Sequence, residues 1–485
     1  MYKEMQDILN KQNNTTLTEN GDTAFRTTHN AVLDLFGLMG GMRYNTDDFK
    51  LLFDKAYRDN KILAIAALLN LRDIRGGMGE RRLFRLGLEY IANNETDEDI
   101  VCQVIQWTPE LGRWDDLMVF LDTPYEIHMS ATIAKQLAND LISDNPSLCA
   151  KWLPSENATS KKTVENSRKL IKLLGISPKK YRKILSELRK KINIVETNLV
   201  KKEYNNIDYN KVPGHAMKKY YYAFGRNDED RFTAYLEGLT DGKSKVNTSA
   251  LYPYDIIDMA NDLLFGYEDI SEQLIQSQWD NLERVSGGKT IVVRDGSGSM
   301  IGKPLNIATS LAILISEQLD GAFKDSFITF SANPEIVTFD SDMSLIDKLK
   351  VTYKYDDVMN TDIEKVYDLI FETMKENPEA ELDNIIIISD MEFDRGVDNV
   401  PTYESLKNKF DSIEKKVPTI IFWNVEARDV HFPITDLEYV QLVSGASHHI
   451  IKSIFNGNYD LDAYSFMMEV LKPYVDMLGY NSYNL

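Results

Sequence analysis

Cysteine is almost absent from this chain. Cys102 and Cys149 are the two thiols in 485 residues, and their spacing matches no metal-binding or redox motif. Two buried, reduced thiols are expected, which fits a reducing compartment. Positive charge is also scarce. Lys and Arg number 55 against 75 Asp and Glu, a formal net charge of -20. That excludes a uniformly basic coat for nucleic acid but leaves room for a local basic patch. Long apolar runs are missing as well. The longest, 62–69 and 385–388, have the size of buried elements, far short of the roughly 20 residues a membrane span needs. Residues 1–14 are polar and lack the apolar core of a secretory signal. The expectation is a soluble cytoplasmic protein with no membrane partner. At 43% hydrophobic residues the chain can build a sizeable core, and its length predicts two or three domains.

The first 285 or so residues have helical periodicity. Apolar residues recur at helical spacing over 31–38 and 62–71, and further helices are predicted near 80–92, 98–106, 129–142, 161–174, 178–193, 213–224, 228–237 and 253–265. Glycine-rich breaks fall at Gly40-Gly41 and at Gly76, Gly77 and Gly79. Clear period-two strands are lacking. Short helices joined by short loops suggest a stacked helical array of the solenoid type, although no fixed repeat period is present. Around Gly287-Gly288 the pattern changes. Apolar runs at 290–293, 327–330, 336–339, 385–388, 419–423 and 440–443 alternate with helical stretches at 304–319, 343–350, 362–375, 402–416, 447–455 and 460–478. This alternation predicts a largely parallel sheet covered on both faces. Ligands of such sheets bind at the carboxyl ends of the strands.

Three segments converge on that edge. The first predicted strand of the sheet ends in DGSGS at 295–299, the NTD at 360–362 stands directly before a helix, and Ser389-Asp390 follows the most apolar strand. Glycines let the first loop turn tightly. Asp295, Ser297, Ser299, Thr361 and Asp390 can then offer two carboxylates and three hydroxyls to one point. Magnesium takes about six oxygens and usually retains some waters, so Mg2+ or Mn2+ is the expected cofactor. An ion held this way should seek an anionic oxygen from a partner. Glu392 and Asp394 on the same loop are expected to be solvated or supporting residues.

Asp-x-Ser-x-Ser, a later Thr and a later Asp, in this order on such strands, resemble the metal-ion-dependent adhesion site of von Willebrand A domains. The resemblance assigns the metal to Asp295, Ser297, Ser299, Thr361 and Asp390. It extends further: LNLRDIRGG at 69–77, AKWLP at 150–154, SDMEFD at 389–394, VPTIIFWN at 417–424 and LVSG at 442–445 resemble a family catalogued as a domain of unknown function, whose members join a helical region to a von Willebrand A-like domain. That combination is similar in architecture to the Ro (TROVE) ribonucleoproteins, in which a ring of helical repeats is closed by such a domain and RNA binds the ring's outer surface and hole. The implied fold class is α plus α/β: an N-terminal helical, HEAT-like array over 1–286, then a doubly wound, Rossmann-type von Willebrand A-like domain over 287–485. The implied function is non-catalytic RNA binding on a magnesium-binding scaffold. The alternative is a metal-dependent protein-assembly module, in which a partner protein supplies an acidic ligand to the metal.

Charge is unevenly spread. Residues 161–202 hold 14 Lys/Arg against 3 Asp/Glu, whereas 289–485 hold 17 against 33. The basic stretch is either a solvated helix face or an anion-binding surface, with Lys179, Lys180, Arg182, Lys183, Lys190 and Lys191 as candidate contacts to single-stranded or structured RNA. Arg75, Arg81 and Arg82 cluster with Arg72 and Arg85 around the 76–79 glycines. They either contact phosphate or close an inter-helix turn through ion pairs with neighbours such as Asp73 and Glu80. The segment lacks the Gly-Lys-Ser/Thr ending of a P-loop. Lys218 and Lys219 precede Tyr220, Tyr221 and Tyr222, an interleaving that suits single-strand binding but equally suits core tyrosines. His431, His448 and His449 have no third ligand at zinc spacing. No Ser-His-Asp or Cys-His set stands out, and no general base is evident beside the metal, so an enzyme is not expected.

Overall fold

The computed structural model describes residues 14–285, 288–331, 333–356, 363–393, 403–433, 440–456 and 462–481. The chain forms two compact units: Met1–Ala67 with Leu251–Lys472, and Leu68–Ala250 with Pro473–Leu485. The sequence changes from helical to alternating pattern near 286, but compactness follows a different division, because the N-terminal segment packs into the unit that carries the large sheet.

That segment begins with a hairpin, β1 (Thr15–Leu17) and β2 (Thr23–Phe25), paired antiparallel. Strands of three residues are too short to register as period-two alternation, so the helical reading of the N-terminus missed them. The hairpin is anchored by a reciprocal bridge: Phe25 N donates to Phe432 O at 2.9 Å and Phe432 N to Phe25 O at 2.8 Å.

The large sheet comprises β3 (Thr290–Asp295), β4 (Ser326–Phe330), β5 (Ile336–Thr338), β6 (Asn384–Ser389), β7 (Thr419–Asn424) and β8 (Val440–Ser444). Every apolar run expected to be a strand is one. The spatial order is β5-β4-β3-β6-β7-β8, parallel except for the antiparallel β4/β5 edge pair. Strands β3, β6, β7 and β8 are buried along their whole length, which is why they read as continuous β-branched and apolar runs rather than alternating ones. The order reverses between β3 and β6, placing the switch point where Asp295 and Ser389 end neighbouring strands.

Helix Lys303–Ser316 returns from β3, buried on almost every side. It meets helix Pro253–Leu264, where Asn306 Nδ2 donates to Asp258 Oδ1 at 2.7 Å. Helix Ala31–Met39 is keyed to β8. A Cβ at Gly40 would stand 2.5 Å from Ser444 O, and one at Gly37 would stand 3.3 Å from Leu442 Cβ. The Gly40-Gly41 pair is therefore a site of close backbone approach as well as a helix stop.

The second unit is helical. Helices Arg82–Asn94, Glu98–Leu111, Glu126–Ile142, Lys161–Leu173, Pro178–Lys191, Gly214–Asn227 and Glu229–Thr240 are amphipathic and bury apolar stripes. Close packing again relies on glycine: a Cβ at Gly87 would fall 2.3 Å from Leu68 Cδ1, and one at Gly77 would fall 2.0 Å from Asn70 O. No helix among the described residues is long and apolar enough to cross a membrane.

Candidate metal centre and basic surface

Asp295 is the last residue of β3 and is 1% exposed. Its Oδ1 accepts from Ser297 N at 2.9 Å, and its Oδ2 accepts from Ser389 Oγ at 2.6 Å. The first bond closes the loop on itself. The second ties it to the end of the adjacent strand. Ser297 and Ser299 then face one another, with hydroxyl oxygens 3.1 Å apart. Asp390 follows β6 and is also 1% exposed. Its Oδ1 accepts from Glu392 N at 3.2 Å. Its Oδ2 is buried and accepts no hydrogen bond, although Arg428 Nη2 lies 3.4 Å away. Met391, between these two acids, has φ 65, a left-handed conformation that a non-glycine residue adopts only under local constraint.

The electrostatics suit a cation. Burial, followed by the neighbouring charge of Asp295, pushes Asp390 up to about 6. Burial raises Asp295 too, against the opposing hydrogen bonds from Ser389 and Ser297. Two sequestered carboxylates that resist ionisation, one with an undonated oxygen, are relieved by a hard cation between them. Among the described residues no three His, Cys, Asp or Glu side chains gather as a metal cluster. The centre consists of two carboxylates and relies on hydroxyls for its remaining donors. Thr361 and Asp394 lie outside the described residues.

Glu392 faces away from this point. It pairs with His431 at 2.9 Å and accepts from Glu19 N at 2.6 Å. The β1–β2 turn clasps the same loop, as Asn20 Nδ2 donates to Glu392 O at 2.7 Å and Thr18 Oγ1 to Phe393 O at 2.7 Å. Arg428, from the loop after β7, donates to Ser299 O and pairs with Glu426 at 3.1 Å and Glu19 at 3.4 Å. Sequence reasoning missed Arg428, since nothing local in 425–433 marks a residue that meets loops 129 and 38 positions away.

The arginine cluster of the helical unit is largely absorbed by ion pairs, but with acids other than those expected. Asp116, fully buried, accepts from Arg72 Nε at 2.9 Å, Arg81 Nε at 3.1 Å and Arg85 Nε at 2.7 Å. Asp115 takes Arg81 and Arg85 as well. Gly112 leaves space for Arg72, whose Nε would lie 2.4 Å from a Cβ there. Arg75 is exposed and donates to Glu110 O at 2.8 Å, and Arg82 is exposed. Lys219 lies 4.9 Å from the Tyr220 ring centroid. Tyr221 packs edge-on against Phe232, and Tyr222 is 44% exposed, so this tyrosine run is only partly core.

Helix Pro178–Lys191 buries Tyr181, Leu185 and Leu188. Lys179, Lys180, Arg182, Lys183, Lys190 and Lys191 are all exposed. Arg182 pairs with Glu156 at 2.5 Å, and Lys191 Nζ donates to Leu141 O at 2.9 Å.

Comparison with known proteins agrees with this architecture. Residues 289–471 match the family described as Domain of unknown function (DUF7788), and residues 157–286 match Domain of unknown function (DUF2828). The chain is 28% identical over 514 residues to the Uncharacterized protein L728 of Acanthamoeba polyphaga mimivirus, covering 95% of this chain and 88% of that protein. The crystal structure of the Deinococcus radiodurans RO (RSR) protein superposes with a TM-score of 0.52 at 13% identity, over 92% of this chain and 100% of that one. The fold is Ro-like. At such low identity the likeness concerns the path of the chain alone. The expected α plus α/β class and the resemblance to uncharacterised families with Ro-like architecture both stand.

Proposed function

We propose that this Ro-like protein is a non-catalytic RNA-binding scaffold carrying a magnesium-binding, von Willebrand A-like module. The observation that carries the RNA reading is the solvent face of helix Pro178–Lys191. Lys179, Lys180, Lys183 and Lys190 are exposed, and none has an acidic partner among the described residues. In a chain of net charge -20, distant acidic surface repels a polyanion. A concentrated cationic face offsets that repulsion, because screening confines both effects to about a Debye length. Arg182 and Lys191 extend the face. Arg75, Arg82, Lys218 and Lys219 are secondary contacts. Arg81 contributes less, its charge being shared with Asp115 and Asp116.

In the same reading Asp295, Ser297, Ser299, Thr361 and Asp390 hold Mg2+ or Mn2+. The bound ion supplies positive charge for an anionic oxygen of a partner. The chain's own residues prepare the place: Ser389 fixes the Asp295 carboxylate, and the Met391 turn presents Asp390.

Filter binding with mixed-sequence single-stranded RNA over a series of salt concentrations tests the RNA reading. Affinity should fall with salt at a log–log slope of about -0.7 per phosphate contacted. Absence of binding at low salt overturns it and leaves metal-dependent protein assembly as the function.

A further inference from the structure

Beside the exposed lysine face lies a groove of about 660 Å³, walled by helix Pro178–Lys191, the 155–158 segment and helix Val195–Lys201. Four cationic side chains line it: Arg182, Arg189, Lys190 and Lys201. Glu156 is the one acid in the lining, and it is already paired with Arg182. Ser155, Ser186 and Thr197 add hydroxyls.

Arg189 is the telling residue. It is half-buried, and all its protein partners are neutral: Nε donates to Ala150 O at 2.8 Å, Nη1 to Ser155 Oγ at 2.9 Å and Nη2 to Leu153 O at 3.1 Å. No carboxylate pairs with it among the described residues. A guanidinium stays charged at any physiological pH, and burying a charge without a counter-charge is costly. Burial depresses Arg189 from its ordinary value, with only the Tyr181 hydroxyl listed against that trend among its charged or titratable neighbours. The protein keeps an uncompensated cation in a groove whose other cations, Lys190 and Lys201, also lack acidic partners. Tyr181, the single aromatic ring in the lining, is fully buried, and its hydroxyl donates to Pro154 O at 2.8 Å. The groove thus has charge and hydrogen-bond donors for phosphate but no exposed ring on which a base could stack.

We propose that this groove is a phosphate subsite, in which Arg189, Lys190 and Lys201 hold a backbone phosphodiester of a bound RNA strand, with Ser186 and Thr197 as further donors. It rests on the RNA reading above and deepens it by adding Arg189 and Lys201, which lie off the exposed lysine face. Recognition there is of charge and shape, so it is independent of base identity. The phosphate of a free nucleotide has related chemistry and is the competing source.

The test uses the full-length protein, wild type and the double variant Lys190→Gln/Lys201→Gln. Both lysines are exposed and unpaired, so the fold should be retained, and an unchanged circular-dichroism melt checks this. Binding of a short single-stranded RNA is measured at several salt concentrations, with uridine monophosphate as a competitor. Losing two phosphate contacts should flatten the log–log salt slope by about 1.4 and weaken binding by about 25-fold at 0.1 M salt relative to 1 M. The loss should be equal for oligouridine and oligoadenosine. Wild-type binding with no change in the double variant overturns the groove and leaves the RNA reading intact. Displacement of RNA by uridine monophosphate at equal concentration assigns the groove to a mononucleotide and overturns the phosphodiester. Failure of the wild type to bind RNA at any salt overturns both.

Discussion

Arg428 reaches the buried carboxylate of Asp390, with Nη2 3.4 Å from Oδ2, and the same guanidinium donates to the carbonyl of Ser299. One cation from the loop after β7 therefore bridges two loops that each carry candidate metal ligands. It also pairs with Glu19 at the tip of the N-terminal hairpin. The arrangement joins the hairpin, the DGSGS loop and the Asp390 loop through a single side chain.

A fixed positive charge at this position opposes a divalent cation. Arg428→Gln should tighten Mn2+ or Mg2+ binding on the order of tenfold, treating charge and ion as a water-screened pair about 5 Å apart. Isothermal titration calorimetry on both proteins measures it. Weaker binding in the variant would mean that Arg428 builds the site instead of competing with the ion.

Asp295 sits at the core of the same centre, and its replacement should act in opposite directions on binding and stability. Asp295→Asn should abolish metal binding. With a chelator present it should raise the melting temperature, because a desolvated carboxylate beside Asp390 is removed while the hydrogen bond from Ser389 can persist. Ser299→Ala should weaken the site less, since it removes a neutral ligand. Equal metal affinity for Asp295→Asn and wild type would remove Asp295 from the ligand set.

Much of this centre was legible because its signal is local. A strand, a DGSGS turn and a second strand ending in Ser-Asp are short-range patterns, and buried parallel strands announce themselves as unbroken runs such as 385–388. The orientation of Glu392 was not legible. Whether it faces the metal position or His431 depends on the hairpin donor Glu19 N, a contact 373 residues away. The arginine cluster illustrates the same limit. Its composition marked Arg72, Arg81 and Arg85, but its charge partners Asp115 and Asp116 lie a helix further on, and sequence spacing favoured Asp73 and Glu80. The three-residue strands of the hairpin carry too few residues for any periodicity to emerge.

Asp116 should be the most sensitive acidic residue of the helical unit. Burial pushes its carboxyl up, but the guanidiniums of Arg72 and Arg85 outweigh this and leave it below the usual range. Its stabilisation is present above the unfolded Asp value of about 3.9 and is lost as pH falls through its lower native value. Asp116→Ala strands the buried Arg72 charge and should cost about 3–5 kcal/mol. Urea denaturation at pH 7 reads this directly, and a cost below 1 kcal/mol would show that the arginines re-pair with Asp115.

His448 should make the sheet-bearing unit acid-sensitive. Burial, helped by the neighbouring His449 and Lys452, lowers it to about 3. The unfolded chain therefore binds this proton from about pH 6.5 downward, while the folded protein does not until near pH 3. Stability attributable to the group is complete above pH 6.5 and declines as pH falls towards 3. At pH 4.5 the loss is on the order of 2 kcal/mol. His448→Gln should show a smaller drop in urea midpoint between pH 7 and pH 4.5 than wild type. Identical drops would place the acid sensitivity elsewhere.

The exposed lysine face makes the strongest claim on RNA, and charge reversal tests it more severely than neutralisation. Lys179, Lys180 and Lys183 are exposed without acidic partners, and Arg182 shares its charge with Glu156 alone. Reversing all four to Glu leaves the buried stripe of Tyr181, Leu185 and Leu188 untouched, so the helix should persist. Two of the four are in the first turn, where Glu also suits the helix dipole. If each cation neutralises one phosphate, the log–log salt slope should flatten by about 2.8. Affinity at low salt should fall beyond detection, since the new carboxylates repel the strand. Metal binding at the strand ends should be unchanged, which separates loss of the RNA surface from loss of the fold. Wild-type binding that survives the four reversals would move the interface to Arg75 and Arg82, the exposed arginines of the 75–82 cluster.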